Sequence, residues 1–268
     1  MNGTPSGTSD DVEVRGIDFA YTDLGHGPLV LNAHGLSSSR ASNAALGLAD
    51  FSPVAEAGRR LISYDARGHG ASTGTPVEAH YTWDFLAEDL LALAQHFSAD
   101  APVSAIGTSM GTGTILHAAT RRPDRFSRLV LTAPPTAWET RAGQGEVYRT
   151  MATLFETTDP GTLAEMQAQA PVPPIFSGLE GYPPRPDIRP ELIPTVFRGA
   201  AQTDLPAPES IAGLRQPTLI LAWAGDPGHP VSTSEKLAEA IAGSQLHVSE
   251  SHDDLLTWGE RAAAFLSV

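Results

Sequence analysis

Short apolar, β-branched runs alternate along the chain with longer stretches of helical period. This is the pattern of a mostly parallel sheet joined by crossover helices. Strands are predicted at Leu29–Ala33, Leu61–Asp65, Val103–Gly107, Leu129–Thr132, Thr218–Ala222 and Gln245–Val248. Upstream, Val12–Tyr21 followed by Gly25 and Gly27 reads as a strand and turn, a hairpin at the sheet edge. Between the strands, Trp83, Leu86, Leu90, Leu93 and Phe97 share one helical face behind Thr82, a residue suited to an N-cap. Ser232 with Glu235 has the spacing of a capping box, and Gly243 stands where that helix should stop. A last helix carries Leu255, Trp258, Ala262 and Phe265 in one phase.

From about Thr136 to Pro208 this rhythm fails. The stretch has no convincing strand, is rich in proline, and holds two amphipathic pieces near Gly145–Thr157 and Leu163–Ala170. A strandless insertion between two sheet strands reads as a lid over a site, because Trp138, Tyr148, Met151, Phe155, Met166, Phe176 and Phe197 are too apolar for a solvated loop. The expected organisation is a polar tail over 1–11, an α/β core over 12–135 and 209–268, and a helical lid over 136–208.

Composition narrows the function. The 268 residues carry no cysteine, which excludes disulfides, zinc–thiolate sites and a cysteine nucleophile, and makes a cytoplasmic location the default expectation. The net charge of -14 argues against nucleic acid or an anionic membrane as partner and favours a neutral or weakly charged small molecule. No apolar run approaches the ~20 residues of a bilayer span, and the first eleven residues read as a tail rather than a secretory signal.

Gly107-Thr108-Ser109-Met110-Gly111 is a G-x-S-x-G pentapeptide between the apolar run Val103–Ile106 and a helical stretch, Thr112–Ala119. A serine in such a tight strand-to-helix turn projects its hydroxyl above the sheet edge, and the flanking glycines avoid collisions with neighbouring backbone. Late in the chain Asp226 follows an apolar strand and precedes Pro227, so its carboxylate is expected at the same sheet edge. Two histidines follow Asp226 as candidates for the base: His229 in Pro227-Gly228-His229-Pro230, and His252 past the strand Gln245–Val248.

With these residues in order, the sequence resembles the α/β-hydrolase fold superfamily over about Val12 to Leu266. The resemblance rests on Asn32-Ala33-His34-Gly35-Leu36, on Tyr64-Asp65-Ala66-Arg67-Gly68-His69-Gly70-Ala71-Ser72, on the Ser109 turn and on Leu221-Ala222-Trp223-Ala224-Gly225-Asp226-Pro227. It implies the catalytic order Ser109, Asp226, His252 and an oxyanion hole built from the backbone N–H groups of Leu36 and Met110. His34, Arg67 and His69 become loop-holding residues. At the histidine the sequence departs from the family: Ser251 replaces the usual glycine and Asp253-Asp254 follow. The chemistry implied is cleavage of an ester, thioester or lactone through an acyl-enzyme on Ser109, with no metal and no organic cofactor. Acyl transfer, cyclisation or C–C cleavage by the same triad, a cofactor-free perhydrolase, and a non-catalytic binding protein are the alternatives.

Overall fold

The computed structural model describes residues 8–267. Eight strands form one sheet in the order β1-β2-β4-β3-β5-β6-β7-β8. They are β1 (Thr8–Val14), β2 (Ile17–Gly25), β3 (Leu29–Ala33), β4 (Arg60–Tyr64), β5 (Val103–Thr108), β6 (Phe126–Thr132), β7 (Thr218–Trp223) and β8 (Gln245–Ser249). The first two pairings, β1 with β2 and β2 with β4, are antiparallel, and every later pairing is parallel. The six strands predicted after the hairpin, β3 to β8, therefore sit within two residues of their predicted ends, apart from β6, which begins three residues earlier.

The edge hairpin departs from the expectation. Its turn is Arg15-Gly16, with φ of 51° and 72°, and not the Gly25–Gly27 stretch. Two residues with positive φ give the mirror-image turn whose twist matches a two-stranded ribbon. Residues 8–11 consequently belong to β1 rather than to a tail, while residues 1–7 of that expected tail lie outside the described residues.

Helices cover both faces. One face is filled by α3 (Trp83–Phe97) and α4 (Met110–Arg121), which bury Leu86, Leu90, Leu93, Ile115 and Leu116 against Phe19, Leu31, Ile62 and Ala105. The other is covered by α2 (Ser52–Glu56) and α11 (Trp258–Leu266), with Val54, Trp258, Ala262 and Leu266 meeting Val30, Leu61, Ile106, Val130 and Leu221, while α1 (Arg40–Leu46) buries none of its residues. Three helix expectations differ. Thr82 precedes α3 without a side-chain capping bond; α9 (Val231–Ala240) starts after Pro230, so Ser232 and Glu235 lie inside it and form no box; and the last helix is two, α10 (His252–Leu256) and α11.

The stretch 136–208 has no strand beyond one bridge, Ile188 to His69. It carries α5 (Arg141–Thr157), α6 (Pro160–Ala168) and α7 (Ile193–Ala201), and α8 (Pro208–Ile211) leads back to the sheet. Helices α5 and α7 pack together through Tyr148, Phe155 and Phe197, with Phe155 stacked on Phe197 at 5.9 Å. Arg141 fixes this pair to the core. Its buried guanidinium lies 4.2 Å from the Trp83 ring centroid and donates to the carbonyl oxygens of Thr203 (2.7 Å) and Ala200 (2.6 Å).

The loop after β4 locks the sheet's upper edge. Asp65 accepts from the backbone N–H groups of Arg40 (2.9 Å) and Ala71 (3.0 Å) and from the Arg40 guanidinium (3.0 Å). Arg67 makes a buried two-point pair with Asp89 at 2.9 and 2.8 Å. His34 Nδ1–H donates to the Gly35 carbonyl (2.8 Å), and its Nε2 accepts from the Ala66 N–H (2.8 Å), an arrangement open only to the neutral ring. His69 packs edge-on against His34 at 5.2 Å.

Burial pushes both imidazoles down, His69 to about 3. Both folded-state values lie below the unfolded one, so the fold has its full stability above about pH 6.5 and loses it as pH falls toward about 3. The urea midpoint is therefore expected to drop between pH 7 and pH 5, and His69→Phe, although weaker at pH 8, is expected to show a shallower drop over that interval. Equal slopes for the two proteins would contradict a neutral buried His69.

Candidate active site

Ser109 stands between β5 and α4 with φ 53° and ψ −106°, a conformation costing roughly 1–3 kcal/mol for a residue with a side chain. The turn is held by its N–H donating to the Thr132 carbonyl (3.0 Å) and by its carbonyl accepting from the Gly113 N–H (3.1 Å). Both flanking glycines are obligatory for space. A Cβ on Gly111 would come within 2.1 Å of the Ala33 carbonyl oxygen, and one on Gly107 within 2.5 Å of the Gly111 backbone. Gly113 is equally constrained, since its Cβ would meet the Trp83 ring at 2.4 Å. The small residues thus let α4 lie directly on β3 and β5, which fixes the serine at the sheet's rim.

The residue against Ser109 is His229. Its Nε2 lies 2.8 Å from Ser109 Oγ, and its Nδ1 lies 2.8 Å from Asp226 Oδ2. An ionised carboxylate only accepts, so Nδ1 carries the proton and donates to Asp226, leaving Nε2 free to accept from the serine hydroxyl. Burial pushes the Asp226 carboxyl up, but the hydrogen bond from the His229 ring, with those from the N–H groups of Gly228 and His229, helps hold the group below its ordinary value. The Gly228 N–H to Oδ1 bond is 2.7 Å.

This corrects the expectation for His252. The turn after β7 passes Gly225 at φ 89° and curls back, so that the His229 N–H donates to the Asp226 carbonyl at 3.2 Å. That tight i to i+3 turn sets the imidazole on its own loop's carboxylate and aims the far nitrogen at the serine. After β8 the chain does something else. Ser249 is buried and accepts from Trp258 Nε1 (2.9 Å), and the Ser251 hydroxyl caps α10 through the Asp254 N–H (3.2 Å). His252 becomes the first residue of that helix, and its Nδ1 is buried with no hydrogen-bond partner among the described residues. The serine in place of a glycine and the two following aspartates made a helix start out of the expected histidine loop. Asp254 is bound instead by His247 (2.8 Å) and Arg261 (3.0 Å).

The remaining expected groups come together. Gly35 lies beside the serine, where an added Cβ would be 3.5 Å from Ser109 Cβ, and Leu36 is the next residue. Met110 opens α4, where an N–H has no intrahelical acceptor and the helix dipole is positive. Neither the Leu36 nor the Met110 N–H has a protein acceptor among the described residues. Gly68, Gly70 and the Arg67–Asp89 pair hold the neighbouring loop, as His34 and His69 do.

The insertion reaches this centre from two sides. Leu36 packs into a cluster with Tyr148, Met151, Ile188 and Phe197. On the other side the Trp223 ring lies 5.1 Å from the His229 ring and 5.4 Å from Phe176, on which Tyr182 stacks at 4.6 Å.

Comparison with known proteins agrees with this architecture. The sequence pattern of the alpha/beta hydrolase fold family matches residues 28–255. The chain is 28% identical over 200 residues to 3-oxoadipate enol-lactonase 2 of Acinetobacter baylyi, covering 71% of this chain and 70% of the relative. Among solved structures, a thermophilic esterase from Thermogutta terrifontis superposes with a TM-score of 0.70 at 23% identity, over 97% of this chain and 96% of the other. The enol-lactonase from Burkholderia xenovorans LB400 superposes with a TM-score of 0.68 at 22% identity, over 97% and 100%. At those identities the two structures speak to the fold alone. The family match over most of the chain, with the serine elbow where that fold carries it, makes this protein a member of the α/β-hydrolase family of enzymes.

Proposed function

We propose that the protein hydrolyses a carboxylic ester, thioester or lactone of a small, partly apolar substrate through an acyl-enzyme on Ser109. The observation that carries this reading is the chain of two 2.8 Å hydrogen bonds from Ser109 through His229 to Asp226. In the proposed sequence Oγ attacks the acyl carbon as His229 Nε2 takes its proton, and Asp226 stabilises the imidazolium and fixes its tautomer. The carbonyl oxygen, now negative, is received by the N–H groups of Leu36 and Met110, each worth roughly 3 kcal/mol in such a site. The C–O or C–S bond then breaks, the leaving group takes the proton from Nε2, and a water activated by the same nitrogen releases the acid.

Several features support the substrate class. Leu36, Tyr148, Met151, Phe176, Tyr182 and Trp223 give the surroundings an aromatic and aliphatic character, which suits an acyl or alcohol part with apolar surface. The insertion over 136–208 acts in this reading as the lid that supplies those side chains. The 3-oxoadipate enol-lactonase among the relatives is in keeping with a lactone or ester.

The reading is checked by labelling with a fluorophosphonate probe and by p-nitrophenyl ester hydrolysis. Ser109→Ala is expected to abolish both, and His229→Ala to lower the rate at least about 10³-fold, with Asp226→Asn losing on the order of 10⁴-fold through the wrong tautomer. His252→Ala is expected to stay within about threefold of the parent. Full activity in His229→Ala, with loss in His252→Ala, would overturn the assignment. A second check concerns the elbow: Gly111→Ala must displace either α4 or β3 and is expected to lower labelling about 10²-fold or more, together with the melting temperature.

A further inference from the structure

The sheet face covered by α2 and α11 includes, beside its apolar positions, one rung of three polar residues that helices leave half-uncovered. Thr22, Ser63 and Asn32 are directly paired neighbours on β2, β4 and β3, and their side chains share that face with Leu24, Leu61, Val30 and Ile106. A buried polar rung is costly unless its groups find partners. Here the three residues are half-buried, because α1 stands off the sheet and buries none of its own residues. The gap is an open-sided cavity of about 360 Å³ between the rung, Asn43 and Ala44 of α1, and the apolar Leu48 and Phe51. Ser109, His229 and Asp226 do not line it.

The rung keeps hydrogen-bonding capacity in reserve. Asn32 Nδ2 donates to Ser63 Oγ (3.0 Å), while the Asn32 carbonyl oxygen has no partner among the described residues. Asn43 Oδ1 accepts from Ser38 Oγ (2.6 Å), and its NH₂ group is likewise unengaged by described residues. One carboxamide thus offers an acceptor and the other offers donors, across a space within the size range of small-molecule sites. Its cation, Arg40, is already bound by Asp65 at 3.0 Å, and the rim also carries Asp50. Nothing there favours an anion, and the one carboxylate is engaged by the Ser52 N–H (2.9 Å).

We propose that this cavity is a second ligand site, taking a small uncharged molecule whose amide, hydroxyl or lactone head lies between Asn32, Ser63 and Asn43 while its apolar body rests on Leu48 and Phe51. The site is separate from the reacting serine. It adjoins the loop carrying Gly35 and Leu36, since His34 lines it and holds the Gly35 carbonyl.

Benzamide is the probe, titrated into the ¹⁵N-labelled full-length protein and followed by NMR, with benzoate and benzylammonium as charged analogues. Saturable shifts are expected at Asn32, Ser63 and Asn43, side-chain NH₂ signals included, with the charged analogues at least tenfold weaker. Ala44→Phe, a change at an exposed position of α1 on the cavity's rim, is expected to fill the space and abolish the shifts without changing fluorophosphonate labelling. Asn32→Leu tests the polar rung, and the labelling rate reports whether it folds. Shifts centred on Gly111 and His229 would overturn the proposal, as would unsaturated drift up to the solubility limit or binding that survives Ala44→Phe.

Discussion

The close approach of α4 to β3 governs everything at this protein's reactive edge. Gly111 packs so near Ala33 that any side chain would overlap a carbonyl oxygen, and Gly107 packs equally tightly on Gly111. Because the helix cannot retreat, the chain must turn from strand to helix within a single residue. That residue, Ser109, is held at a positive φ that its own two backbone hydrogen bonds sustain. Its hydroxyl is consequently placed by backbone, and the helix N-terminus that follows is placed with it.

Around that fixed point the other groups arrive by different means. The loop from His34 to Leu36 is pinned by a neutral histidine bridging Gly35 and Ala66, and the next loop by Asp65 and by the buried Arg67–Asp89 pair. These are interior polar contacts in which each member is hydrogen-bonded, the condition under which buried polarity gives a loop one conformation rather than several. Asp226 and His229 need no such support from afar. Asp226 and His229 sit on one turn, three residues apart, so a single loop carries the whole relay to the serine. The region after β8 closes as a capped helix in which Asp254 joins His247 and Arg261.

The insertion is anchored more firmly than a loop of its length requires. Arg141 is buried against Trp83 and bonded to two carbonyl oxygens, and the Trp138 indole donates to the Pro206 carbonyl where the insertion begins and ends. The α5–α7 pair thereby stays against Leu36, while Phe176 and Tyr182 stay against Trp223. Among the described residues no helix is long and apolar enough to cross a membrane.

Much of this was legible in the chain itself. Alternating strand and helix periods set the parallel core, because a strand buried on both faces must be apolar throughout, and the six strands β3 to β8 stand within three residues of their expected ends. The G-x-S-x-G turn carried Ser109 for a local steric reason, and Asp226 followed from its place beyond a strand. The base was not legible. Choosing between His229 and His252 depended on how two turns curl in three dimensions, and the family pattern favoured the one after the last strand. Only the tertiary structure showed which imidazole meets the serine: the turn after Asp226 brings His229 to the hydroxyl, while Ser251 starts a helix with His252 as its first residue. A residue's reach is local and readable; the meeting of two loops at one oxygen atom is set by the packing beneath them.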